Sequence, residues 1–265
     1  MEYKLVSNNK KDLIIIFQSA GRIPKETFEN ILRNDISKSE VKKLHEKYTW
    51  FKFSEYDYVD YLYLEDFYSS SYGWYMFDAG HSIIDELNKE LYDFIIKNEY
   101  KNVTAYGSSK GGTGALIYGI KNKLINNVFS LVPQIHAVDY IDKKLSDYKK
   151  LFFPDGDKRT ENYFNSIFFN PDMYNEKNCE NTNIFLYTGV GDEQFNETLK
   201  FNKYLNDKNI NNNIIINSSL KKHNEIVMDN VPFVRSALKL IALRKEMKGP
   251  RLYNIDDNIL ILRDK

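Results

Sequence analysis

The stretch Val103-Thr104-Ala105-Tyr106-Gly107-Ser108-Ser109-Lys110-Gly111-Gly112-Thr113-Gly114-Ala115-Leu116 changes character half-way. Its first four residues read as a strand, and the residues from Thr113 onward favour a helix. Between them Gly107, Ser109 and Gly111 form G-x-S-x-G on a strand-to-helix turn, the setting of a nucleophile elbow. The flanking glycines remove side chains that would collide with strand and helix at so sharp a turn. The same turn aims the backbone N–H of Lys110 at the helix mouth, where a developing oxyanion would sit. In a chain of this glycine and serine content, chance supplies roughly 0.03 such matches before any demand on context.

A nucleophilic serine requires a base, and the base an orienting acid. On the C-terminal side, an apolar run at 184–187 leads into Thr188-Gly189-Val190-Gly191-Asp192-Glu193, and another at 214–217 leads into Ser218-Ser219-Leu220-Lys221-Lys222-His223. Both loops leave the carboxyl end of an expected strand, where ligands gather in α/β sheets. His223, the last of four histidines, is the expected base. Asp192 is the expected acid, with Glu193 beside it and Asp139 after the run 128–132 as competing carboxylates. His136, near the end of that run, is a candidate for the pocket wall, while His45 and His81 read as a solvated residue and a helix start. On the N-terminal side, the continuous apolar run Leu13-Ile14-Ile15-Ile16-Phe17 reads as a strand buried on both faces. The chain after it, Gln18-Ser19-Ala20-Gly21-Arg22, is expected to supply a second oxyanion donor from the N–H of Gln18 or Ser19. Arg22 is a candidate for binding an anionic substrate group.

Further strands are expected at 4–7, 50–53 and 58–64, and helices at 25–34, 38–47, 81–98, 113–120, 197–207 and 231–246. Strand and helix alternate through the second half, which implies parallel crossovers and a mostly parallel α/β sheet flanked by helices. Residues 139–183 break the alternation. Rich in Tyr and Phe, with Pro154, Pro171 and the turn Pro154-Asp155-Gly156-Asp157, they read as a lid or cap inserted in one domain spanning 1–265. The strand-like tail at 258–262 has no evident place. Basic and acidic side chains number 37 each, so the basic surplus of a nucleic-acid binder is missing. One cysteine, Cys179, excludes an internal disulfide and a cysteine zinc site and favours a reducing, cytoplasmic setting. The apolar run at 13–17 is too short to span a membrane. No metal or dissociable cofactor is required by the expected chemistry, and nothing sets the oligomeric state.

Two other classes compete. A glycine-rich turn can hold phosphate, as in a nucleotide-dependent oxidoreductase. However, this turn comes about 100 residues into the chain, Lys110 precedes the double glycine, and Tyr-x-x-x-Lys recurs only at chance frequency. The other class is a non-catalytic binding protein that retains the triad unused.

The elbow with the Asp192 and His223 loops resembles the α/β-hydrolase superfamily over roughly residues 13–244. Within it, Gly107-Ser108-Ser109-Lys110-Gly111-Gly112 with the upstream Gly73-Trp74-Tyr75 looks like a bacterial surface-glycan group. That group includes accessory-secretion glycan O-acetyltransferase-like proteins and capsule-biosynthesis proteins. The resemblance implies an esterase, deacetylase or O-acyltransferase working through an acyl-enzyme on a small-molecule ester or glycan. It also implies Trp74 and Tyr75 as substrate-facing aromatics. The larger secretion members carry an added carbohydrate-binding domain of which these residues show no sign. Aromatic residues make up 15% of the chain. Their clusters at 56–77 and 140–174 are expected to form pocket wall and lid, where ring faces could stack on sugars.

Overall fold

The apolar runs become strands covered on both faces. In the second strand, β2 (Asp12–Phe17), the alternation is complete: Leu13, Ile15 and Phe17 enter one core cluster, and Ile14 and Ile16 enter another on the opposite face. Successive side chains of a strand point to opposite sides, so a run with no polar member is stable only between two apolar layers. A computed structural model describes residues 1–19, 25–45, 48–66, 72–174, 179, 182–243, 252–255 and 258–261.

In chain order the strands are β1 (Tyr3–Val6), β2 (Asp12–Phe17), β3 (Asp60–Leu64), β4 (Phe77–Asp78), β5 (His81–Ser82), β6 (Asn102–Ser108), β7 (Asn127–Leu131), β8 (Asn183–Gly189), β9 (Asn212–Asn217), β10 (Leu252–Ile255) and β11 (Asn258–Ile261). Among the described residues one sheet runs in the order β1-β3-β2-β6-β7-β8-β9-β11-β10, and β4 pairs with β5 separately. From β3 across to β9 all neighbours are parallel. Antiparallel partners close both edges: β1 on β3, and β11 then β10 beyond β9. The tail that had no evident place thus extends the sheet. Helices Ile84–Lys97, Lys110–Lys121 and Phe195–Asp207 pack into the first cluster, and Val231–Ala242 into the second. No helix among the described residues is long and apolar enough to cross a membrane.

The strand order reverses beside β2. The chain passes from β2 to β3 on one side and returns to β6 on the other. The loops leaving the carboxyl ends of β2 and β6 therefore diverge, opening a crevice at this switch point.

One expectation differs from the structure. Residues 50–53 form no strand: Trp50 has φ 62° and leads into the 3-10 helix Phe51–Glu55. The rings of Trp50 and Phe53 pack on Tyr106 at 5.6 and 5.8 Å between centroids, so burial overrides local β preference. The insertion at 139–183, read as an aromatic-rich lid or cap, sends part of its aromatic content inward. Phe152 at the end of helix Lys149–Phe152, Phe153 just after it, Phe164 of helix Lys158–Asn165 and Phe168 of the 3-10 helix Ile167–Phe169 all enter the first core cluster.

Candidate active site

β6 enters the elbow through Gly107 because strand and helix backbones touch there. A Cβ on Gly107 would lie 2.2 Å from the Gly111 carbonyl oxygen, and one on Gly111 would lie 2.2 Å from the Phe17 carbonyl oxygen. Any side chain at either position would separate β6 from its helix or the helix from β2. Ser109 between them is forced to φ 56°, ψ −121°, far from the basins L-residues prefer. Its N–H donates to the Leu131 carbonyl at 2.9 Å, and Thr113 N–H returns to the Ser109 carbonyl at 3.1 Å. Cβ atoms on Gly112 and Gly114 would also meet protein atoms within 3 Å. The glycines are filled in by protein and leave no phosphate cradle, which counts against the nucleotide reading.

The three residues expected from sequence come together. His223 Nε2 lies 2.9 Å from Ser109 Oγ, and its Nδ1 lies 2.9 Å from Asp192 Oδ1. Asp192 reaches this position from the loop after β8. Gly191 permits the approach, because a Cβ there would lie 2.3 Å from the carbonyl oxygens of Leu220 and Lys221 in the loop that carries His223. The Asp192 side chain is fully buried, and its Oδ1 also accepts the Gln194 N–H at 3.1 Å. The serine and imidazole remain partly open to solvent.

The competing carboxylates lie elsewhere. Asp139 is exposed and accepts a hydrogen bond from Asn165, while exposed Glu193 pairs with Lys143 and Lys144. His136 stacks on Phe169, and its ring nitrogens meet the Asn165 carbonyl at 2.7 Å and Glu197 at 3.3 Å. It lines a cleft of about 250 Å³ with Tyr140, Lys143, Glu193, Gln194 and Glu197. Arg22 lies outside the described residues.

Around the expected oxyanion donors the picture is more specific than the sequence. Lys110 N–H is the first in its helix and so has no intrahelical acceptor. Gln18 N–H is not free: it donates to the Tyr75 hydroxyl at 2.6 Å. This committed bond removes Gln18 as a ready donor and leaves Ser19, whose N–H makes only a long 3.3 Å contact with Thr49 Oγ1.

Trp74 and Tyr75 do not face a substrate. Both are 0% exposed, with φ of 53° and 59°. Trp74 Nε1 donates to Gln134, and Tyr75 packs under Gly114 and edge-on to Phe17. Gly-Trp-Tyr is thus a tight turn that drives two aromatic rings into the core beneath the elbow.

Sequence reasoning missed Asp66, just after β3. Its Oδ1 accepts the N–H groups of Gly73 and Tyr75, and its Oδ2 meets the Lys110 ammonium. One signal was present. A lysine in the first turn of a helix opposes the dipole, and G-x-S-x-G places it beside a packed core, so a buried counterion was required.

No family model and no curated relative matches this chain. Solved structures do match. The capsule O-acetyltransferase of Neisseria meningitidis serogroup A aligns with TM-score 0.61 and 21% identity, over 88% of this chain and 87% of that one. The fold is the α/β-hydrolase fold. An α/β-hydrolase likeness also links the chain to a thermostable esterase of Pseudomonas putida, with TM-score 0.56 and 12% identity over 93% of this chain and 83% of that one. A glycosylation-associated protein complex of Streptococcus agalactiae aligns at TM-score 0.58 and 14% identity, over 89% of this chain but 42% of that one. At these identities the shared α/β-hydrolase character is one of architecture.

Proposed function

We propose that this protein is a serine-dependent acyl-transfer enzyme, an esterase or O-acyltransferase, folded as one domain. The observation that carries the reading is the hydrogen-bonded series Ser109–His223–Asp192, with both links at 2.9 Å and the serine on a strained elbow. Ser109 Oγ attacks an ester carbonyl while His223 Nε2 accepts its proton, and the imidazolium then protonates the departing alkoxide. Water or an acceptor hydroxyl, deprotonated by the same nitrogen, attacks the acyl-enzyme and releases Ser109. Asp192 accepts the Nδ1–H and so holds the tautomer with Nε2 free to act as base. Lys110 N–H, with Ser19 as second donor, stabilises the oxyanion; each such donor contributes about 10²–10³ in rate.

We take the substrate to be an O-acyl group on a glycan. The elbow sequence supports this, as does the architectural likeness to a capsule O-acetyltransferase. We take the location to be cytoplasmic, a reducing setting that the buried free thiol of Cys179 suits.

Reaction with a fluorophosphonate tests the serine. Stoichiometric labelling of the wild type that is lost in Ser109→Ala is the expected result, together with loss of turnover on short-chain nitrophenyl esters. Activity persisting in folded Ser109→Ala would show that the nucleophile lies elsewhere. Release rates with and without sugar acceptors separate transfer from hydrolysis.

A further inference from the structure

Beneath the elbow lies a buried ion pair that the triad does not use. The Lys110 ammonium sits 2.5 Å from Asp66 Oδ2, with the side chains 3% and 0% exposed. The other oxygen of Asp66 accepts the N–H of Gly73 at 3.2 Å and of Tyr75 at 3.0 Å. Tyr75 carries the connection onward: its hydroxyl accepts Gln18 N–H at 2.6 Å and donates to the Leu64 carbonyl at 2.8 Å. The Lys110 ammonium also faces the rings of Tyr72 and Tyr75, 5.1 and 4.7 Å from their centroids. One carboxylate is therefore tied to both chain segments that carry the oxyanion donors. It reaches the helix side directly through Lys110, and the β2 side through Tyr75 and Gln18.

Stability is a poor explanation for this arrangement. The helix dipole opposes a cation at Lys110, and a buried ion pair often does no better than apolar groups of equal volume. Burial pushes the Lys110 ammonium below the ordinary lysine value, against the pull of Asp66. Geometry is what the pair supplies, because it fixes two separate segments against one rigid point.

We infer that Asp66 and Lys110 are positioning residues for the oxyanion hole. The pair sets the direction of the Lys110 N–H relative to the chain at Gln18–Ser19, and through it the rate at which Ser109 is acylated. The inference rests on the serine acyl-transfer reading.

Lys110→Met tests it, since methionine keeps the aliphatic length and leaves Asp66 its two backbone donors. Fluorophosphonate labelling gives two readouts: the final amplitude, which counts folded sites, and the rate constant of those sites. Full amplitude with a rate constant lowered about 10–100-fold is expected, a part of the cost of a lost oxyanion donor. kcat on a nitrophenyl ester should fall in parallel with KM unchanged. Asp66→Asn, measured the same way, should slow the folded fraction at least as much, because its amide would face the ammonium. The double variant should be no slower than the slower single one, since both remove the same link. A purely structural role would lower amplitude and leave the rate constant of the labelled fraction untouched, which overturns the inference even if a variant folds poorly. Wild-type protein that takes no label would sink the serine reading itself. Wild-type labelling with unchanged rate constants in both variants would overturn the positioning role alone.

Discussion

At Ser109 the backbone sits at φ 56°, ψ −121°, a conformation that costs on the order of 1–3 kcal/mol outside glycine. Its neighbours over-determine it, and Oγ is thereby fixed before any substrate arrives. The same logic governs Asp192, whose Oδ1 receives the imidazole N–H while its Oδ2 is buried with no partner among the described residues. In Asp192→Asn the amide group favours the other imidazole tautomer, with the proton on Nε2, so Nε2 can no longer act as base. We expect kcat to fall by about 10⁴ while the far-ultraviolet spectrum stays that of the wild type; a loss below tenfold would remove Asp192 from the site. That Ser109, Asp192 and His223 would meet was legible in the sequence, because each follows the carboxyl end of a strand, β6, β8 or β9. Trp74 and Tyr75 were misread as substrate-facing, because positive φ at two successive aromatics is a tertiary outcome with no compositional mark. Asp66 was invisible for a related reason: its partners at Gly73, Tyr75 and Lys110 meet only after β3 and β6 have been set on either side of β2.

Elements meet at the elbow with no slack. Gly111 faces backbone rather than a flexible side chain, its absent Cβ lying 2.2 Å from the Phe17 carbonyl oxygen and 2.9 Å from the Gln18 carbonyl carbon. Gly111→Ala must push the end of β2 away from the helix Lys110–Lys121. A stability loss of about 1–3 kcal/mol in urea unfolding is expected, together with a fall in activity larger than the loss of folded protein. Equal losses in the two measurements would mean that the β2 contact does not shape the site. Element types were readable where periodicity was strong, as in β2 and β9. They were not readable at Trp50–Phe53, where ring packing on Tyr106 outweighs strand propensity. In the aromatic-rich insertion, composition alone does not separate rings that border a cleft, such as Tyr140, from rings that fill the core, such as Phe152, Phe153, Phe164 and Phe168.

Across the whole molecule, the alternation of strands and helices disclosed a parallel sheet, but not that β1, β10 and β11 would seal its edges, since pairing partners leave no local trace. One polar cluster ties an edge to the centre. Asp60, at the start of β3, accepts from the amides of Asn8 and Lys10 and the hydroxyls of Ser7 and Tyr100. Burial pushes its carboxyl up, but the Lys10 and Asn8 amides with the Tyr100 and Ser7 hydroxyls together bring it below the usual value. A carboxyl lowered on folding stabilises the protein above its unfolded value and loses that effect as pH falls through the lowered one. Asp60→Asn should therefore lower Tm at neutral pH, with the gap from wild type narrowing below about pH 4; a gap that stays constant down to pH 2 would contradict this. The spacing of Ser109 and His223 along the chain has a consequence of a different kind. Ser109 and His223 are 114 residues apart, and they hang from β6 and β9 with β7 and β8 between them. On the acyl-transfer reading proposed above, the nucleophile emerges before its base during synthesis, and a chain in which β9 has not docked should be chemically inert. Regain of fluorophosphonate reactivity after dilution from urea therefore times the docking of β9, and it should never precede recovery of the full sheet signal.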